Sequence, residues 1–468
     1  MNRHAAALYA KAPVWGQNLM LSGFATLLSR ERYGGRYEEF RRVLEETQWR
    51  SRQEIQAYQD ERLRAVVAHA YETVPFYRRR FDERRLKPAD VRTCADLYKV
   101  PVLTRNDIRT HFEELRSSSV PHRSMREGHT SGTTGTPLTI GYDHDTVSMT
   151  YAVFDRHYDW AGLRMGFSGD RIAVARGNVI VPLDQKRPPF WRRNWRQNQL
   201  LLSSFHLSKD NLPAYFAKLA SFRPDVVDGY PSTLYVLAKY LQNRGEVFPL
   251  KAAVTSSETL YDFQRETIEA SFRCRVFDYF ALAERTVFSG ECDRHHGHHI
   301  AMEYGVAEVV DGEGVPLPRG TVGQLVGTTL HNTAMPLIRY VTNDRTALRD
   351  ETCPCGRGLE LMDDVTTKAE DVLTLKDGRL ISPSVLTHPF KPLGCIEGSQ
   401  IVQTAPDAIT VRIVPGDGFT QGLSDELVGA LQVRLGAEVR IDVQLVDRLE
   451  TTKTGKFKWV ISRVPLGI

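Results

Sequence analysis

The chain has 468 residues, and its 61 Lys plus Arg nearly balance its 57 Asp plus Glu, leaving a net charge of +4. That length allows one large domain and a smaller one, and so even a charge balance gives no basic footprint for nucleic acid. Six cysteines in a chain this long exclude a disulfide framework.

In chain order, the apolar run Leu19–Leu28 is shorter than the roughly 20 residues of a membrane-spanning helix. It is expected to pack on the body of the protein, with weak membrane contact as the alternative; the protein reads as cytoplasmic, with no membrane span and no leader. Residues 36–85 read as helices: Tyr37, Phe40, Val43 and Leu44, then Leu63, Val66, Val67 and Ala70, recur at helical spacing. Pro75 interrupts the second run, because the residue before a proline avoids the helical region. Asp90, Thr93 and Thr104 can each begin a short helix. The segment from Thr130 to Thr136 holds only hydroxyl residues and glycine. After it, Leu138, Ile140 and Tyr142 alternate with Thr139 and Gly141 as a strand does, and 145–161 reads as a helix.

Strand and helix then alternate. Strands are expected at 171–175, 225–228, 251–255 and 275–279, with helices at 212–220, 233–242 and 260–272. This alternation argues for a parallel sheet with helices on both faces, its ligands at the carboxyl ends of the strands. The basic stretch Lys186, Arg187, Arg192, Arg193 and Arg196, interleaved with Phe190, Trp191 and Trp195, reads as a solvated loop with an aromatic anchor, contact with an anionic partner being the alternative. Residues 306–310, 322–329 and 337–340 are β-rich. A hairpin turning at Asp377-Gly378 is followed by strand 408–414, helix 424–436 and strand 438–446. The fold class is therefore α/β: a large N-terminal domain (1–366) with mixed or parallel sheets, a helical lead-in over 1–125 and a β-rich part about 300–345, followed by a small C-terminal α+β domain (367–468).

Several segments have compositions that suit chemistry. Thr130-Ser131-Gly132-Thr133-Thr134-Gly135 exposes backbone N–H groups and short hydroxyls, which a phosphate needs; it lacks the Gly-Lys-Ser/Thr of a Walker A loop, and by itself could be a flexible turn. The segment Asp278-Tyr279-Phe280-Ala281-Leu282-Ala283-Glu284 follows a strand. Ser256-Ser257-Glu258, Arg339-Tyr340-Val341-Thr342-Asn343-Asp344, Thr366-Thr367-Lys368-Ala369-Glu370-Asp371 and Thr451-Thr452-Lys453-Thr454-Gly455-Lys456 complete the set.

In this order the segments resemble the motifs of adenylate-forming enzymes, and the sequence around the first most resembles the phenylacetate–CoA ligase branch, particularly its capsular-polysaccharide relatives. In that family a carboxylate attacks the α-phosphate of ATP, giving an acyl-adenylate and pyrophosphate. The resemblance implies that Thr130, Ser131, Gly132, Thr133, Thr134 and Gly135 hold phosphates, and that Ser257 and Glu258 form the adenine-side turn. Phe280 would stack on adenine, Glu284 would reach Mg2+, and Asp344 would accept the ribose hydroxyls. Lys368 stands at the place of the family's hinge arginine, where a plain polar linker is the alternative. Lys456 would bridge the substrate carboxylate and the α-phosphate. Thr130, Glu284 and Lys456 are the implied catalytic residues. The chain departs from the motifs at Ala281, Ala283, Asn343 and Lys368; lysine keeps the charge of arginine but not its bidentate fork. Coenzyme A is the acceptor the resemblance implies; an amine or hydroxyl acceptor, or a nucleotide-binding protein without catalysis, are the rival readings.

Cys292 lies in a histidine-rich run (His295, His296, His298, His299), and Cys353-Pro354-Cys355 follows about 60 residues later in sequence. Cysteines and a histidine in two such clusters suit a closed structural zinc site. His299 is the preferred fourth ligand, because a strand expected from Ile300 would anchor it; His295, His296 and His298 compete. Cys94, Cys274 and Cys395 read as buried thiols.

Overall fold

The computed structural model describes residues 8–129, 138–365, 372–390, 392–393, 395–449 and 459–465, the side chain of Asn343 excepted. The segments carrying Thr130–Gly135, Lys368 and Lys456 lie outside the described residues.

The centre of the molecule is a nine-stranded sheet. From one edge its strands are Leu361–Met362, His298–Ile300, Phe288–Glu291, Arg275–Ala281, Ala252–Ser256, Val226–Gly229, Ile172–Ala175, Gln199–Leu202 and Trp191–Asn194. The five strands from Arg275–Ala281 to Gln199–Leu202 run parallel. Antiparallel strands flank them on both sides. The inner strands Ile172–Ala175, Val226–Gly229 and Ala252–Ser256 are buried throughout, as strands covered on both faces must be. Helices Leu212–Phe222, Pro231–Asn243 and Asp262–Phe272 connect or flank them. Pro231 sits in the first turn of its helix, where its missing N–H is no loss. The helix His144–Trp160 packs beside the strand Phe288–Glu291; there Gly290 has no room for a Cβ, which would strike the His157 ring.

The helical lead-in consists of Val14–Arg32, Tyr37–Thr47, Arg52–Thr73 and Pro75–Glu83. Ser51 and Glu54 form a reciprocal capping box at the third helix. Pro75 ends that helix at Val74 and opens the next. Thr104 caps Arg105–Thr110 by accepting from the Asp107 amide.

A three-stranded antiparallel sheet of Gly305–Val310, Gly323–Thr329 and Tyr340–Thr346 forms the β-rich part. Its third strand begins at Tyr340, so residues 337–339, expected to be strand, precede it. Asn343 and Asp344 lie inside the strand, where the pairing slips between Gln324 and Val326. A bulge of this kind re-aims side chains without ending the sheet.

The C-terminal part has a four-stranded sheet in the order Arg440–Leu445, Ala408–Pro415, Ile396–Ala405 and Val460–Ser462, with helix Gln421–Leu435. Trp459, Ile401, Val411 and Leu431 are among the residues of its buried cluster, which also takes in Phe205. The strand Ile396–Ala405 was not read from the sequence. The basic stretch also differs from expectation. Trp191–Asn194 is an edge strand, Phe190 and Arg192 are buried, and only its rim reaches solvent. Cys94, Cys274 and Cys395 are half-buried rather than buried; burial nevertheless pushes the Cys274 thiol up to about 12.

Candidate active site and metal centre

Glu284 lies in the hairpin between the antiparallel strands Arg275–Ala281 and Phe288–Glu291. It is buried, and its Oε1 accepts a hydrogen bond of 2.7 Å from the Tyr340 hydroxyl. The Arg105 guanidinium stands 3.8 Å from the same oxygen. Burial and then the Glu284 charge hold the Tyr340 phenol well above its ordinary range, so it stays protonated and donates. Residues from three distant parts of the chain thus meet at one carboxylate. Arg105 was missed in the sequence because it reads only as the first residue of a short helix. Tyr340 belongs to its motif, and the resemblance implies no role for it.

The backbone around Arg339 explains why they meet. Arg339 has a φ of 55° and is buried. Its guanidinium forks onto Glu308 at 3.1 Å and donates to the carbonyls of Val100 and Gly314, both at 2.8 Å. Its own carbonyl accepts from the Leu103 amide, and Leu103 in turn accepts from the Val341 amide. The motif arginine is therefore a clamp that ties the strand Tyr340–Thr346 to the segment entering helix Arg105–Thr110. A bidentate, buried arginine is suited to fixing geometry in this way. Asp344 follows four residues after Tyr340, in the bulge, where its amide donates to the Thr342 hydroxyl at 3.1 Å.

Phe280 is half-buried against the cluster of Trp160, Ile300 and Leu361. Its neighbour Tyr279 points to the opposite face of the strand and accepts from the Arg176 guanidinium at 3.1 Å. Arg176 also binds Asp228 and donates to Ser256 at 2.9 Å. Neither Arg176 nor Asp228 was singled out from the sequence, since each is a lone charge at a strand end. Ser257 adopts a φ of 72°. Beside it, Glu258 receives the Ser232 amide at 3.1 Å and the Ser382 and Ser384 hydroxyls at 2.6 and 2.8 Å. Glu258 thus joins the turn after the strand Ala252–Ser256 to the C-terminal part.

The metal candidates also converge. One ligand atom from each of Cys292, His299, Cys353 and Cys355 lies within 4.8 Å of every other. The Cys292 and Cys353 sulfurs are 3.6 Å apart, and the Cys355 sulfur is 3.4 Å from His299 Nε2. Zn–S and Zn–N bonds of about 2.3 and 2.0 Å give a tetrahedron with edges of about 3.5–3.8 Å, so the spacing fits. The Arg294 and Arg357 amides each donate to a cysteine sulfur at 3.4 Å, which favours thiolates. Burial alone would raise the Cys355 thiol; the hydrogen bonds from His299 and Arg357 outweigh it and bring it down to about 6. The competing histidines face carboxylates: His295 faces Glu291, His296 faces Glu351, and His298 faces Asp364 and Asp278. His299 belongs to the strand His298–Ile300 and pairs with Gly290, which pairs with Tyr279 on its other side. The cluster is therefore two strand spacings, about 10 Å, from the strand that carries Phe280.

Residues 373–463 match the family described as the CapK C-terminal domain. The chain is 32% identical over 348 residues to a phenylacetate–coenzyme A ligase of Thermus thermophilus, covering 69% of this chain and 73% of that protein. It is 26% identical over 464 residues to protein CapK of Staphylococcus aureus, covering 98% of this chain and 99% of that one. Among solved structures, 2-hydroxyisobutyryl-CoA ligase in its postadenylation state superposes with a TM-score of 0.56 at 21% identity, covering 89% of this chain and 91% of that one. The expected α/β fold and the expected family are both borne out. The chain belongs to the phenylacetate–coenzyme A ligase family of AMP-forming acid ligases.

Proposed function

We propose that the protein activates a small organic acid with ATP and then passes the acyl group to coenzyme A. In the first step a carboxylate oxygen attacks the α-phosphorus of ATP and the bond to the pyrophosphate oxygen breaks. In the second the thiol sulfur attacks the acyl carbon, AMP leaves, and the thiol proton goes to solvent. The observation that carries the reading is the meeting of Tyr340 and Glu284, from two motifs far apart in sequence, at a hydrogen bond of 2.7 Å. A carboxylate oriented in this way suits a divalent cation, which would neutralise phosphate charge. In this reading Glu284 holds Mg2+, Phe280 supports the adenine, and Asp344 accepts the ribose hydroxyls with its two oxygens. Thr130 to Gly135 donate to the phosphates, Thr130 among the catalytic residues; Ser257 shapes the adenine-side turn, and Lys456 meets the charge that develops on attack. Tyr230, which stands near Arg176, lies on the acid's side.

Cys292, His299, Cys353 and Cys355 are read as ligands of a structural zinc, which their spacing and their N–H···S hydrogen bonds support. The chain is read as two units, 1–366 and 367–468, with Lys368 in the hinge. The match of 373–463 to one family supports this division.

The test is ATP–pyrophosphate exchange over a panel of acids. Lys456→Ala should lower exchange about 100–1000-fold, the usual cost of losing a charge contact made mainly in the transition state, yet still transfer acyl groups from a synthetic acyl-adenylate. Supplying coenzyme A or candidate amines and identifying the products by mass spectrometry decides the acceptor. Exchange at the full rate in the variant would refute the role of Lys456, and an amide formed without thioester would refute the thiol acceptor.

A further inference from the structure

A helix at the surface of a globular protein ordinarily turns its apolar face inward. The helix Val14–Arg32 instead leaves large apolar side chains in solvent, spread over its outward half. Its buried residues are Gln17, Ala25 and Ser29. Trp15, Leu19, Phe24 and Leu27 are 67, 54, 50 and 62% exposed. The helix is fastened by polar bonds. The Arg192 guanidinium donates to the Gln17 side chain, the Arg193 amide to Asn18 at 2.9 Å, and the Trp195 amide to the Ser22 hydroxyl at 3.0 Å. These bonds set the apolar helix alongside the basic edge strand Trp191–Asn194, and the Tyr9 hydroxyl ties the preceding residues to the carbonyl of Ile180.

The surface so formed is strongly one-sided in charge. No Asp or Glu occurs from Leu8 to Arg30, nor from Gln185 to Gln197. Lys11, Arg30, Lys186, Arg187 and Arg196 are exposed around it. The first acid after the helix begins, Glu31, is held by Arg126 at 2.9 Å. Beside the N-terminal half of the helix opens a cleft of about 470 Å3, lined by Val14, Asn18, Trp195, Arg171, Arg193 and Lys218. Arg171 is paired with Asp225 at 3.5 Å, whereas no ion pair to Arg193 or Lys218 occurs among the described residues.

We propose that this face docks the protein on an anionic lipid surface. The exposed Trp15, Leu19, Phe24 and Leu27 enter the boundary between headgroups and acyl chains, the cations around them meet lipid phosphates, and the cleft takes one headgroup. An apolar helix face with a cationic rim has the chemistry of an interfacial, non-spanning helix. A second copy of the chain is the poorer occupant. A two-fold contact through this face would set the largely cationic rim against itself. No helix among the described residues is long and apolar enough to cross a membrane, so the contact would be peripheral.

Flotation of the full chain with phosphatidylcholine vesicles, with and without phosphatidylglycerol, tests this. The protein should float with the phosphatidylglycerol-containing vesicles, leave them as salt is raised, and ignore phosphatidylcholine alone. The triple variant Trp15→Ser, Leu19→Ser, Phe24→Ser alters only exposed side chains, so it should keep its adenylation rate in solution and lose flotation. Lys218→Glu should weaken vesicle binding about fivefold or more, from roughly 1 kcal/mol per cation near the surface. Wild-type protein that stays unbound in the presence of phosphatidylglycerol would overturn the proposal, as would a triple variant that floats equally well. Light scattering that finds a dimer which the triple variant breaks, with no vesicle binding by the wild type, would give the face to a second copy instead.

Discussion

Replacing Tyr340 by phenylalanine removes one oxygen atom and, with it, the only short hydrogen bond that the described residues show for Glu284. The partner left is the Arg105 guanidinium at 3.8 Å, too long for a hydrogen bond. Both groups are buried, so water does not replace the hydroxyl. A hydrogen bond to a charged group contributes about 1.5–3 kcal/mol, and burial favours the upper half of that range. If Glu284 holds Mg2+, Tyr340 orients a metal ligand, and losing such a partner costs about 10–100-fold in metal affinity or activity. The assay is ATP–pyrophosphate exchange against Mg2+ concentration. Tyr340→Phe should shift the Mg2+ requirement upward by that factor. In the Glu284→Gln background the same substitution should add little, because the bond it removes is already weakened. An unchanged Mg2+ requirement, or losses that simply add in the double variant, would refute the coupling.

Three further outcomes are expected. Purified protein should carry one zinc, with Cys292, Cys353 and Cys355 protected from a thiol reagent until a chelator is added; Cys355→Ala should lose the metal, as elemental analysis would report. Glu258→Ala removes the acceptor of the Ser382 and Ser384 hydroxyls, at a cost of about 2–3 kcal/mol for two bonds to a half-exposed carboxylate, and should speed amide hydrogen exchange in Ser384–Leu386; unchanged exchange there would rule out the tie. His331 is buried, and burial brings its imidazole down from 6.5 to about 4, so the unfolded chain takes up a proton in that interval and the folded one does not. Stability should therefore fall as pH drops from 6.5 towards 4, by about 3 kcal/mol from this one group, and the acid limb of a denaturation series should flatten in His331→Gln.

The sequence by itself determined what depends on local pattern. The alternation of apolar strands and amphipathic helices from Arg171 to Tyr279 fixed a parallel sheet, because period and length leave few other ways to bury those faces. Pro75, Thr104 and the Asp377-Gly378 turn marked their boundaries for equally local reasons. The Cys/His clusters could be read as one site, and the tertiary fold chose among the histidines: pairing of His298–Ile300 with Phe288–Glu291 leaves His299 beside the sulfurs and turns the others to carboxylates. Only the tertiary structure could join Arg105, Glu284 and Tyr340, since no spacing in the chain relates them. It decided that Arg339 is a clamp, that Glu258 reaches across to the C-terminal part, and that Asp344 sits in a bulge of its strand. It also reversed the reading of two surface stretches. Leu19–Leu28 looked like a segment that would bury itself, and the basic stretch from Lys186 to Arg196 looked like a solvated loop. A helix has two faces, and which one meets the protein depends on its partner. Here the partner is a polar strand edge, which took the Gln17 side and left the apolar side outward.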